Sequence, residues 1–148
     1  MIIDNFRGRY YFLSNFYEIP ILYNGLMYQS SEAAFQAQKT LDNNIRKDFT
    51  KLDPRQSKRL GKKVQLRDNW NKIKTGIMAE IVHAKFTQHP ELVEKLLLTE
   101  NATLIEGNTW HDNYYGSCYC EKCTNKEGRN YLGKILMEER EYWKLSLI

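Results

Sequence analysis

The segment Ser30-Ser31-Glu32-Ala33-Ala34-Phe35-Gln36-Ala37-Gln38-Lys39 sets how the rest of the chain is read. A serine able to cap is followed by strong helix formers, with Glu32 in the first turn, where the helix dipole favours an anion. The pattern predicts a helix running to about Leu41. Glu32, Gln36 and Lys39 stand at i, i+4 and i+7, which turns all three to one side. Between them lie alanines and Phe35, residues that suit close packing more than exposure. The stripe reads as one wall of a polar pocket: desolvation beside apolar walls raises a glutamate's pKa and a nearby lysine tunes it back, as a general acid or base requires. An ordinary solvated helix face is the alternative reading of the same spacing.

On the N-terminal side the first thirty residues have the pattern of short strands and turns. Tyr10-Tyr11-Phe12-Leu13 is an apolar run closed by Ser14-Asn15, and Ile19-Pro20-Ile21-Leu22-Tyr23 reaches the hairpin dipeptide Asn24-Gly25 before Leu26-Met27-Tyr28 returns. On the C-terminal side a short helix is predicted over 44–49. Asp53-Pro54, a cap with proline at the first helical position, opens another that stops near Gly61. Trp70, Ile73, Ile77, Ile81 and Ala84 recur at three and four residues, which predicts a long amphipathic helix weakened slightly by Gly76. Pro90 opens a helix with Leu92, Val93, Leu96 and Leu97 as its apolar face, and a last helix is predicted from about Asn130 through Trp143. The expected fold is mostly α (α+β): a single compact helical domain over 1–148 with a small antiparallel β-sheet.

Length and composition agree with one core. The 148 residues are 42% hydrophobic, 13% aromatic and 27% charged, a composition of globular and not of disordered chains. Ten tyrosines and three tryptophans supply apolar area with a hydrogen-bonding edge, useful in a core and for stacking on a base. The start of the chain lacks a basic segment followed by an apolar run, and no apolar stretch approaches membrane-spanning length, so a cytoplasmic location is expected with no membrane partner. Of the net charge of +4, the distribution says more than the total: eleven Lys/Arg lie between Arg46 and Lys74 against Asp48, Asp53 and Asp68. Such a block attracts the phosphates of a nucleotide or of a nucleic-acid backbone, or serves as a solvated face.

Between the last two predicted helices lies Gly107-Asn108-Thr109-Trp110-His111-Asp112-Asn113-Tyr114-Tyr115-Gly116, a polar, aromatic loop. Ordering such a loop costs entropy, so its concentration of Asn, Asp, His and Trp calls for a reason such as ligand contact. Asp112 can cap a turn or complete a carboxylate pair with Glu32 that orients water and stabilises charge on a sugar. Next to the loop, Cys118, Cys120 and Cys123 cannot all pair within one chain. With His111 they make a possible zinc set, but the first spacing is one residue instead of two or more. Reduced, metal-free thiols are therefore expected, and no cofactor.

Four ordered motifs carry a resemblance: 6–16, beginning Phe6-Arg7-Gly8-Arg9-Tyr10; 28–39; 107–116; and 128–140, beginning Gly128-Arg129-Asn130-Tyr131-Leu132-Gly133. Together they resemble the NADAR family, whose bacterial members are N-glycosidases that hydrolyse a ribose C1-to-nitrogen bond. The resemblance implies a helical fold around a few strands. It implies catalytic roles for Glu32, Lys39 and Asp112, and substrate contacts from Asn15, Gln36, Trp70, Trp110, Tyr115 and Asn130. Tyr115 stands where many members have tryptophan before glycine. Family substrates include ADP-ribose attached to guanine in nucleic acid and phosphorylated ribosylamino-pyrimidines of riboflavin synthesis. The first is the expected substrate here, with no obligate protein partner; a non-catalytic ADP-ribose or nucleic-acid binding module is the competing reading.

Overall fold

In the computed structural model, which describes residues 1–147, the chain is mostly helical with three two-stranded pieces of sheet. It divides into two compact units, one formed by Asn15–Gln88 and the other by Met1–Ser14 with His89–Ile148.

The Asn15–Gln88 unit begins with an antiparallel hairpin, β2 (Glu18–Tyr23) and β3 (Leu26–Ser30), after the short β1 (Ile2–Ile3) of the other unit. Asn24 and Gly25 both have positive φ, 49° and 83°, the geometry that a tight two-residue hairpin turn requires. Ser30 ends β3 and caps α1 (Ser31–Ala37), its hydroxyl accepting the Ala33 N–H. α2 (Asn43–Phe49), α3 (Pro54–Gly61) and α4 (Trp70–Gln88) follow. α3 carries a reciprocal capping box: the Asp53 side chain accepts from the Gln56 N–H at 2.7 Å and the Gln56 side chain accepts from the Asp53 N–H at 3.0 Å. The core of this unit includes Ile21, Tyr28, Ala33, Ala34, Ala37, Phe49, Met78, Ile81, Val82 and Phe86, all below 2% exposed.

Three expectations are corrected here. α1 stops at Ala37 instead of Leu41: the Gln38 side-chain Nε2 donates to the Ala34 carbonyl at 3.1 Å, and the N–H groups of Gln38, Lys39 and Thr40 turn to the carbonyls of Phe35, Gln36 and Ala37, three residues back instead of four. The buried residues of α4 are Trp70, Met78, Ile81, Val82, Lys85 and Phe86, so of the expected stripe Trp70 and Ile81 are buried while Ile73, Ile77 and Ala84 are half-buried. Lys85 belongs to that face, with its ammonium 5.5 Å from the Tyr17 ring centre and 5.7 Å from that of Phe86, so aromatic faces replace part of its hydration. The apolar period located the helix but only part of its buried stripe.

The third correction lies in the other unit, where 8–13 is a 3-10 helix and not a strand. Arg9 and Tyr11 are exposed and Tyr10 is half-buried in it, while Phe12 and Leu13 at its end are buried. Here β1 pairs in parallel with β4 (Thr103–Leu104), and β5 (Gly107–Asn108) pairs in parallel with β6 (Ser117–Cys118), so the antiparallel sheet expected from the sequence is one hairpin accompanied by two short parallel pairs. α5 (Pro90–Leu97) and α6 (Tyr131–Ser146) supply Leu92, Leu96, Leu132 and Leu136 to this unit's core. A Cβ on Gly133 would run into the Leu104 carbonyl, so only glycine lets α6 lie this close to β4.

Replacing Asp53 by alanine removes the α3 cap and is expected to cost about 1 kcal/mol. Urea unfolding checks this as a lower midpoint with an unchanged slope.

Candidate active site

Five of the nine residues singled out in the sequence, Asn15, Glu32, Gln36, Lys39 and Trp70, lie in the Asn15–Gln88 unit. The first turn of α1 places Glu32, whose N–H donates to the Asn15 carbonyl at 3.0 Å. Glu32 is 8% exposed and Gln36 is 6%. One helical turn apart, they meet: Gln36 Nε2 donates to Glu32 Oε1 at 2.8 Å. A buried carboxylate needs such a donor, since desolvation without one costs several kcal/mol. Asn15 Nδ2 lies 3.4 Å from the Met78 sulfur. Trp70 is buried and packs on Phe35, with ring centres 5.3 Å apart and planes at 47°, so it forms the apolar wall behind the helix.

Lys39 stands just past the end of α1, in the turn that closes it, and its ammonium donates to the Gly61 carbonyl at 3.3 Å. Burial pushes its pKa below the usual 10.5, opposed by the negative charge of Glu32 and reinforced by the neighbouring cations Lys74 and Lys62. Sequence reasoning gives no weight to Gly61 beyond a helix stop, yet it proves central. A Cβ there would occupy the space of the Gln36 amide, so the last residue of α3 must lack a side chain for Gln36 to reach Glu32. Gln36 Oε1, aimed at this glycine, is buried with no hydrogen-bond partner among the described residues. The signal in the sequence was a glycine serving two ends at once, as helix stop and as close approach.

The other four, Trp110, Asp112, Tyr115 and Asn130, lie in the second unit. Asp112 Oδ1 accepts from the N–H groups of Tyr114 and Tyr115, both at 3.0 Å, which makes it a turn cap within its own loop. Tyr115 packs edge-on against Tyr114 with ring centres 4.7 Å apart, and Trp110 is 49% exposed. Asn130, at a left-handed φ of 52° before α6, spends both amide atoms on the fold: Oδ1 accepts the Glu106 N–H at 2.9 Å and Nδ2 donates to the Leu104 carbonyl at 2.8 Å. Asn108, not singled out in the sequence, organises the loop; its Oδ1 accepts from the Trp110 and Asp112 N–H groups and its Nδ2 donates to the Asp112 carbonyl. Much of the loop's polar content is thus consumed by its own backbone.

A separate cleft of about 450 Å³, lined by residues including Tyr23, Gln38, Arg67, Lys72 and Glu80, contains none of the nine. It is open to solvent.

Because Lys39 is held charged at a net cost, replacing it by methionine is expected to leave thermal stability at pH 7 unchanged or raised while turnover is lost. The advantage should shrink as pH climbs from the depressed pKa toward 10.5, where the native lysine sheds its proton more readily than the unfolded one and parent stability rises. Replacing Gly61 by alanine is expected to destabilise by about 1–3 kcal/mol through overpacking and to lower turnover by displacing Gln36. Melting curves of both variants across pH, compared with the parent, check the stability outcomes, and assays on the substrates proposed below check turnover.

Residues 4–144 match the NADAR domain family. The N-glycosidase YbiA of Shigella boydii serotype 4 is 40% identical over 131 residues, covering 86% of this chain and 78% of that protein. A riboflavin biosynthesis protein of Vibrio vulnificus is 35% identical over 133 residues, covering 88% of this chain and 35% of that protein. The NMR structure of the E. coli protein YbiA superposes with a TM-score of 0.83 at 37% identity, covering 99% of this chain and 86% of that one. With a family match across nearly its whole length and the same fold in a relative this similar, the chain belongs to the NADAR family.

Proposed function

We propose that this protein is an N-glycoside hydrolase that cleaves a ribose C1-to-nitrogen bond, with ADP-ribose on guanine in nucleic acid as its substrate. The observation that carries the reading is the buried Glu32 carboxylate, held by Gln36 and flanked by Lys39 in a field of further lysines. Breaking the bond develops oxocarbenium-like charge on the ribose while electrons move onto the base. Glu32 takes a proton from water as the water oxygen bonds to C1, and its negative charge steadies the sugar cation before that bond closes. The C1–N electron pair leaves with the base, whose nitrogen takes a proton from solvent while Glu32 returns the water's proton to solvent, giving free ADP-ribose and restored guanine. Lys39 orients Glu32 and, with Lys62 and Lys74, attracts the substrate phosphates. Through the family resemblance, Asp112 is assigned the sugar hydroxyls.

The polymeric substrate is favoured by the basic segment. Lys47, Lys51, Arg55, Arg59, Lys62, Lys63 and Lys72 are exposed, a surface suited to a polyanion. The second reading, a phosphorylated ribosylamino-pyrimidine, draws support from the name of the Vibrio relative and needs only the lysines around Glu32.

Incubation with an ADP-ribosylated guanine oligonucleotide is expected to release ADP-ribose, with weaker binding as salt rises. E32Q is expected to lower turnover about 10²–10⁴-fold without loss of folding. Release from the ribosylamino-pyrimidine phosphate alone would reverse the order of substrates. Absence of turnover on both, with binding unchanged by E32Q, would replace the hydrolase by a binding module.

A further inference from the structure

Spacing alone argues against a metal at the cysteines; the folded geometry removes that objection. Cys118 ends β6 and Cys120 follows two residues later, the interval at which side chains in extended backbone return to the same side. The 3-10 turn Glu121–Cys123 then carries Cys123 back to them. From the preceding loop comes His111, in left-handed backbone with φ 69°. Its Nδ1 lies 3.9 Å from Cys118 Sγ, 3.3 Å from Cys120 Sγ and 3.4 Å from Cys123 Sγ, and all four ligand atoms lie within 4.8 Å of one another.

We propose that His111, Cys118, Cys120 and Cys123 form a tetrahedral structural zinc site. Zinc bonds of about 2.3 Å to sulfur and 2.0–2.1 Å to nitrogen give a tetrahedron whose N–S edges are about 3.5 Å and S–S edges about 3.8 Å. The three observed N–S separations straddle the first value. Three thiolates and one imidazole satisfy zinc fully and leave no position for water, which makes the site structural and not catalytic. Its surroundings suit thiolate ligands. Cys118 is 3% exposed and Cys123 2%. The Cys120 N–H points to Cys118 Sγ at 3.5 Å, and Asn113 Nδ2 to Cys123 Sγ at 3.5 Å, while Asn113 Oδ1 accepts the Cys118 N–H at 2.9 Å. Such outer donors orient ligands and offset the charge of the sulfurs.

The alternative, a disulfide, leaves the third cysteine and His111 without a reason to converge. Zinc accounts for all four at once. It ties the segment before Asp112 to the segment after β6, a closure that the two-residue pairing of β5 with β6 alone is too short to enforce.

Protein purified under a non-thiol reductant, with neither chelator nor added metal, is expected to contain about one zinc per chain, retained through dialysis. After zinc removal, cobalt(II) is expected to bind with the intense visible bands of a tetrahedral site and the near-ultraviolet transfer band of thiolate ligands. C123S should lose the metal, H111A should weaken it, and H111C should restore it, since a fourth thiolate completes the same tetrahedron. Absence of zinc from fresh protein together with no cobalt spectrum in the reduced chain would overturn the site. So would a disulfide between any two of these cysteines, or metal retained after all three are changed to serine. These readouts require no substrate, so their failure is distinct from failure of the hydrolase assignment.

Discussion

A carboxylate withdrawn from water must find a donor and a compensating charge, and the Asn15–Gln88 unit is arranged around meeting that need for Glu32. Its first-turn position gives it the positive end of α1, Gln36 gives it a 2.8 Å hydrogen bond, and Lys39 supplies the cation. Each of these depends on something further. Gln36 reaches Glu32 only because α3 ends in a residue without a side chain, and Lys39 is anchored by the carbonyl of that same residue. Ala33, Ala34 and Ala37, fully buried, let the neighbouring elements pack against α1 without a gap. A change at Gly61 therefore reaches the carboxylate without touching it.

The lysines around Lys39 carry an energetic tension. Lys62 and Lys74 both repel the charge on Lys39, and burial adds to the cost of that charge. Stability alone gives no reason for Lys62 and Lys74 to gather on the buried Lys39. An anionic ligand turns the repulsion into binding energy, which is the physical sense in which functional sites are locally unfavourable and supported by what surrounds them.

The second unit meets a different constraint. Its long loop has little regular structure to hold it, and polar side chains take over that role. Asn108 and Asn113 bond the loop backbone, Asp112 caps the turn at Tyr114 and Tyr115, and Asn130 ties the Glu106 N–H to the Leu104 carbonyl. Glycine supplies the close contacts, since a Cβ on Gly116 would strike the Glu106 carbonyl and one on Gly128 the Gly116 carbonyl. The cluster of His111 with the three cysteines lies in the same segment, where the proposed zinc would add one strong restraint to many weak ones.

Local chemistry was legible without coordinates wherever a short-range signal decides the outcome. Asn24-Gly25 specified a hairpin because such residues accept two positive φ values, and Asp53-Pro54 specified a helix start because the cap and the missing N–H both suit it. The spacing of Glu32 and Gln36 announced a shared face, and the four NADAR motifs announced the family. What depended on partners distant in sequence was not legible. The buried face of α4 was decided by what packs on it, and the need for glycine at position 61 by the Gln36 amide. The cysteines show the division most sharply: their count and spacing are written in the sequence, but the convergence of three sulfurs on one imidazole nitrogen exists only once β6, the 3-10 turn and the left-handed His111 are folded together. Local conformational preference acts over a few residues, whereas a ligand tetrahedron requires positions that only tertiary packing sets.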